Sequence, residues 1–309
     1  MDTNLNRGIL HTIRNAELTA IIGGDCRIGN RVISGIHFLA SIHEGNTAVA
    51  GGGAHLVENG CRGTNPNVDL LDDGGVAVWK EAGEDNGFIE HHNVYRLKDP
   101  YYIDLEFTMT AKSGASEEPA HAASWCCYMN SPINEGIHFI ENGVWRYYYN
   151  PIHGQAAMLF PTGISDEVKY QQLARHDRNA ATPHFGLKPD PMQNFDGVRG
   201  FHISDSGHTF DYPFYFGDVR GMIYQIMVDT HKDCRFFLSP SGGGPGVIPG
   251  KWNPAWDLMW IAGKLKEGES KTVNIRIAYL RVQTSNHYMA DTAIEEYKKF
   301  TEEYPIRNG

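Results

Sequence analysis

The chain contains no basic run longer than two residues, no window of 18 apolar residues, no C-x-x-C pair and little helical periodicity. Each absence removes a class of function. With Lys and Arg scattered and a net charge of −10, neither nucleic acid nor an anionic membrane is expected as a partner. The opening stretch MDTNLNRGILHTIRNAELTAII lacks the apolar core of a signal peptide, so a cytoplasmic location is expected. Five cysteines, Cys26, Cys61, Cys126, Cys127 and Cys234, are an odd number and match no zinc spacing. They are expected as reduced thiols, with Cys126 and Cys127 facing opposite ways along a strand.

Nucleotide and hydrolase motifs are missing too. GGGAH (51–55) and SGGGPG (241–246) carry no G-K-[ST] and no complete G-x-G-x-x-G ahead of a helix. G-x-S-x-G and H-E-x-x-H are absent, and no repeat of 20–50 residues is visible.

What the chain does contain is period two. Ile103, Leu105, Phe107 and Met109 alternate with Asp104, Glu106, Thr108 and Thr110, and VNIRIAYLRV (273–282) alternates in the same way. Such segments are half-buried strands of an antiparallel sheet. HHNVYRL (91–97) runs through Lys98-Asp99-Pro100 into the first of them as a hairpin or tight meander, and residues 222–240 read as a strand pair turned at 229–233. The clearest hairpin is GIHFIENGVWRYYYN (136–150), because Asn142-Gly143 tolerates the positive φ that a two-residue turn requires. Its register sets Ile140 opposite Trp145 and His138 opposite Tyr147. One helix is expected over 291–304, from a Thr292-x-x-Glu295 capping box to Pro305. Residues 43–90 and 150–221 read as long loops around a cleft, and no composition break divides 1–309 into more than one domain.

Fifteen histidines and crowded rings point to the ligand class. FHISDSGHTFDYPFYFGD (201–218) sets His202 and His208 around Asp205, with Asp211 and Asp218 beyond, and includes Tyr215. A histidine beside carboxylates suits proton transfer or a divalent metal, with His91, His92, His202 and His208 as candidate ligands. Rings at Trp145 and Tyr147 beside Arg146, His153 and Asp205 suit a sugar, which offers a C–H face for stacking and hydroxyls for hydrogen bonds.

AELTAIIGGDCRIGNRVISGIHFLA (16–40), EHHNVYRLKDPYYIDLEFTMTA (90–111) and NPAWDLMWIAGKLKEGESKTVNIRIAYLRV (253–282) resemble the galactose mutarotase-like superfamily. The resemblance implies a large antiparallel β-sandwich with long loops and a C-terminal helix. It also implies a histidine acid and a carboxylate base from the penultimate strand region, a position that Asp257 occupies. The family's N-H-x-Y-F-N signature is missing.

A carbohydrate-active enzyme is therefore expected, acting on a small-molecule or oligosaccharide substrate by epimerisation, elimination or hydrolysis. The candidate catalytic residues are His92, His138, His208, Asp211, Asp257 and Tyr149. Candidate substrate contacts are His91, Trp145, Arg146, Tyr147, His153, Asp205 and Tyr215. A non-catalytic sugar-binding protein and a metal-dependent isomerase or oxygenase on a jelly roll are the alternatives. An oligomer is permitted by free strand edges, and a divalent metal is the one cofactor considered.

Overall fold

The computed structural model describes residues 9–28, 31–57, 66–115, 121–132, 136–149, 156–161, 171–175, 180–185, 202–205, 210–230, 234–239, 253–282 and 287–307. Strands dominate. The first five are β1 (Leu10–Arg14), β2 (Leu18–Ile28), β3 (Arg31–Ser41), β4 (Val49–Val57) and β5 (Asn67–Leu70). Next come β6 (Val76–Lys80), β7 (Ile89–Lys98), β8 (Tyr102–Ala111), β9 (His121–Met129) and β10 (Ile137–Glu141). They are followed by β11 (Val144–Tyr149), β12 (Ala156–Pro161), β13 (Gln171–Arg175), β14 (Ala180–Phe185) and β15 (His202–Asp205). The last are β16 (Phe214–Val219), β17 (Met222–Val228), β18 (Cys234–Ser239), β19 (Ala255–Gly263) and β20 (Ser270–Arg281), ahead of the helix α1 (His287–Glu303).

The strands form two sheets. One has nine strands in the order β1-β2-β3-β4-β9-β19-β18-β14-β15, and the other has eleven in the order β13-β12-β11-β10-β16-β17-β20-β8-β7-β6-β5. Pairing is antiparallel except between β14 and β15. The sheets pack face to face as a sandwich because alternate residues are apolar. Ile103, Leu105, Phe107 and Met109 are buried, as are Trp125, Cys127, Trp256 and Leu258 from the other sheet. Phe107 meets Trp260 edge-on at 5.5 Å between centroids. The sheets meet tightly at Gly217, where an added Cβ would fall on the Trp256 ring, so only glycine admits that indole. The Tyr215 hydroxyl completes the contact by donating to the Trp256 carbonyl at 2.8 Å.

The hairpin register is the one read from the sequence: Ile140 pairs with Trp145 and His138 with Tyr147. Asn142 and Gly143 take φ values of 53° and 72° at its turn. β7 and β8 pair from Ile89↔Ala111 to Lys98↔Tyr102, also as expected.

Three expectations are corrected. Residues 222–240 are not a hairpin: β17 pairs with β16 and β20, whereas β18 pairs with β14 and β19 in the other sheet. The chain leaves its sheet at Asp229, whose carboxylate accepts from the Asn274 backbone and amide and from Arg307. The helix begins at His287, so Thr292 lies inside it and not at its cap. Residues 43–90 and 150–221 contain β4 to β6 and β12 to β16, because short strands in large sheets show too few periods to be seen.

Among the described residues, no helix is long and apolar enough to cross a membrane. Cys26, Cys127 and Cys234 are free thiols.

Candidate functional site

Strand register in the nine-stranded sheet assembles chemistry that is scattered along the chain. On β9, Cys126 pairs with His55 of β4. Asp257 of β19 falls level with Cys126, between the paired positions Ala255↔Tyr128 and Leu258↔Trp125. Asp257 also pairs with Phe237 of β18, Phe237 with His184 of β14, and His184 with Asp205 of β15. Two histidines and two aspartates thus stand in one transverse row across six adjacent strands. Trp125, Trp256, Leu258 and Phe236 alternate with members of this row and fill the inter-sheet core. Asp257 therefore belongs to the opposite face of the sheet. Adjacent strands are about 4.8 Å apart, so His55 and His184 each stand about 10 Å from Asp257, one on either side.

Asp257 is buried, and its Oδ1 accepts the Cys127 N–H at 2.7 Å, which fixes the carboxylate against the strand. Behind it, the Cys127 thiol lies 3.1 Å from the Tyr224 hydroxyl, and burial pushes the thiol up to about 12. Cys127 is a core thiol and not a nucleophile.

The other expected residues separate into distinct places. His138, Trp145 and Tyr147 share the outer face of the β10–β11 hairpin. The His138 ring stacks on Phe216 at 4.8 Å and 13°, with Tyr147 also at 4.8 Å. Burial holds His138 down to about 4, so its imidazole is neutral near pH 7. Arg146 projects from the other face of the hairpin and lies 3.4 Å from Glu141.

His91 and His92 project to opposite faces of β7. His91 is buried and stacks on Phe107, while His92 stands outside beside Trp79. No single ion takes both, and β7 lies in a different sheet from β15, which carries His202. Among the described residues no three His, Cys, Asp or Glu side chains gather as a metal-holding group.

Two residues take structural jobs in place of the expected ones. Tyr215, read as a substrate contact, is enclosed in the core with its hydroxyl on the Trp256 carbonyl. Asp211, read as catalytic, accepts from the Asn142 and Gly143 N–H groups at 2.9 and 2.7 Å and holds the hairpin turn. Tyr149 lies on β11 opposite Met158. His153 and His208 lie outside the described residues.

His55 was not read from the sequence, and His184 only as a further polar candidate in the long 150–221 region. Each sits in a segment read as loop, and only the pairing of strands far apart in the chain sets them level with Asp257. The one available signal was their place in short β-rich runs, VAGGGAHLV and AATPHF.

No protein-family model matches the chain, and no curated protein matches it in sequence. Its fold does match solved structures. A crystal structure from Escherichia coli K12, described as a "Putative aldose 1-epimerase", superposes with a TM-score of 0.50 at 9% identity, covering 89% of this chain and all of the other. The GalM/aldose epimerase homologue from C. elegans gives 0.49 at 12% identity with the same coverage. The sandwich is the galactose mutarotase-like fold that the sequence resembles.

Proposed function

We propose that the chain is a carbohydrate-active enzyme that opens and recloses an aldose ring by acid–base chemistry on the nine-stranded sheet. The observation that carries this is the row His55–Cys126–Asp257–Phe237–His184–Asp205, with its aspartate flanked at about 10 Å by a histidine on each side. That interval accommodates one sugar ring plus a hydrogen bond at either end. The Asp257 carboxylate takes the proton of the anomeric hydroxyl. One imidazolium, from His55 or His184, gives its proton to the ring oxygen as the bond from that oxygen to the anomeric carbon breaks. Rotation of the freed aldehyde and reversal of both transfers closes the ring on the other face. The likeness to the Escherichia coli K12 structure described as a "Putative aldose 1-epimerase" supports the same reading, on fold alone. Elimination and glycoside cleavage would use the same acid–base pair. They rank below ring opening because they require further positioning groups.

The test is anomer exchange of a panel of aldoses by NMR with the wild type, Asp257→Asn, His55→Gln and His184→Gln. General acid–base catalysis contributes roughly 10²–10⁴-fold, so Asp257→Asn and one histidine variant should lose at least 100-fold while still binding sugar. Unchanged exchange in all three variants would remove the proposal.

Sugar binding without turnover is favoured by one observation, the His138 ring between Phe216 and Tyr147. A neutral imidazole near pH 7 can hold a hydroxyl but has no imidazolium proton to give. If that reading holds, His138→Ala weakens binding while the Asp257 row has no effect on exchange.

A further inference from the structure

The outer face of the eleven-stranded sheet carries a second surface with recognition chemistry, well away from the Asp257 row. Register places Trp79, His92, Thr108 and Thr272 side by side across β6, β7, β8 and β20. At about 4.8 Å per strand this line runs about 14 Å. Trp79 and His92 are each half-buried, with ring centroids 6.5 Å apart. The indole is not free to swing, because its N–H donates to Asp69 Oδ2 at 2.6 Å. Thr108 and Thr272 share a hydrogen bond at 2.8 Å, so each hydroxyl still has capacity to spare.

One row along stand Glu106 and Asn274, which are paired with each other. They open into a cleft of about 260 Å³ whose lining includes Arg96, Leu97, Lys98, Asp104 and Tyr304. Three of its charged side chains are already paired. Arg96 donates to Asp73 at 2.7 Å, Lys98 pairs with Glu303, and Asp104 is clasped by Arg276. Phosphate-rich ligands would have to break those pairs, and a lipid would find no apolar stripe. A neutral ligand with many hydroxyls meets a flat ring, two threonine hydroxyls, an amide and a carboxylate.

From this juxtaposition we infer that the outer face of β6, β7, β8 and β20 is a non-catalytic binding platform for a neutral oligosaccharide. One sugar unit stacks on Trp79, and the chain continues over His92 and the threonines toward the cleft beside Tyr304. The open, linear shape selects a chain over a monosaccharide.

The test is calorimetric titration of the full chain with malto-, cello-, xylo- and chitohexaose, one at a time. At least one should bind, and its parent monosaccharide should bind at least tenfold more weakly. Trp79→Ala and Glu106→Gln should each lower affinity about tenfold or more, and thermal melts of both variants report that they fold. His92→Ala gives a second reading of the platform without altering the Trp79–Asp69 bond. Asp257→Asn should leave this affinity unchanged, which separates failure of the platform from failure of the ring-opening site. If no hexaose binds, or if all three platform variants titrate like the wild type, the inference is overturned.

Discussion

Strands β8 and β20 each cross two different environments on the outer face of the same sheet. Under α1, β20 presents Arg276, Ala278 and Leu280, all buried, and β8 presents Tyr102 and Asp104. Past the end of the helix, the same strands present Thr272 and Ser270 opposite Thr108 and Thr110, which share hydroxyl hydrogen bonds at 2.8 Å. The covered half is held by a buried charge. Arg276 is 1% exposed, reaches both Asp104 oxygens at 2.6 and 2.7 Å and Glu303 at 2.9 Å, and lies 4.6 Å over the Tyr102 ring. A guanidinium out of water demands several partners at once, and α1 supplies some of them. The open half has threonine and serine hydroxyls, which cost nothing to leave wet. The difference teaches that cover, and not strand propensity, sets residue type along one strand.

The sharpest break of that comparison is Arg276→Ala, which leaves Asp104 and Glu303 without their cation. Urea unfolding should show a loss of about 3–5 kcal/mol. Glu296 comes next. It is buried and accepts from the Tyr101 and Tyr102 hydroxyls, so Glu296→Ala should cost about 1–3 kcal/mol by leaving a buried hydroxyl unpaired.

A third effect depends on pH. Hydrogen bonds from Arg276 and then Lys98 hold the Glu303 carboxyl down to about 2, from an ordinary 4.5. The unfolded chain binds that proton first as pH falls. The contribution to stability is therefore complete above pH 4.5 and is lost toward pH 2. Denaturation midpoints across that range should slope less in Glu303→Gln than in the wild type. The smallest effect belongs to the open half, where Thr272→Ala should alter stability by no more than about 0.5 kcal/mol. A loss there as large as that of Arg276→Ala would abolish the distinction between the halves.

Much of the eleven-stranded sheet was legible in the chain. Alternation in β8 and β20, and the Asn142-Gly143 turn with its exact register, needed only neighbours in sequence. β17 gave a misleading signal because all seven of its residues are buried, so alternation could not show which strand it joins. The helix start was misplaced because Thr292 and Glu295 fit a capping box that the fold does not use. For the candidate site, Asp257 and Asp205 were readable as residue types on the expected segments. His55 was not, and His184 was readable only as a polar candidate of a long segment, since nothing local distinguishes a row member from a loop histidine.

By itself the sequence determined the residues that alternate, the turn that needs positive φ, the lack of charge for nucleic acid, and a surplus of rings and histidines suited to sugar. These are local properties, decided by sterics and by which side chains leave water. Only the tertiary structure decided which distant strands lie side by side. It therefore decided that Asp257 stands between His55 and His184, that Tyr215 is sealed against Trp256, and that Trp79 and His92 share an open face. Pairing between strands as far apart in the chain as those of Cys126 and Asp257 is fixed by the packing of whole sheets, and no short window of the chain contains that information.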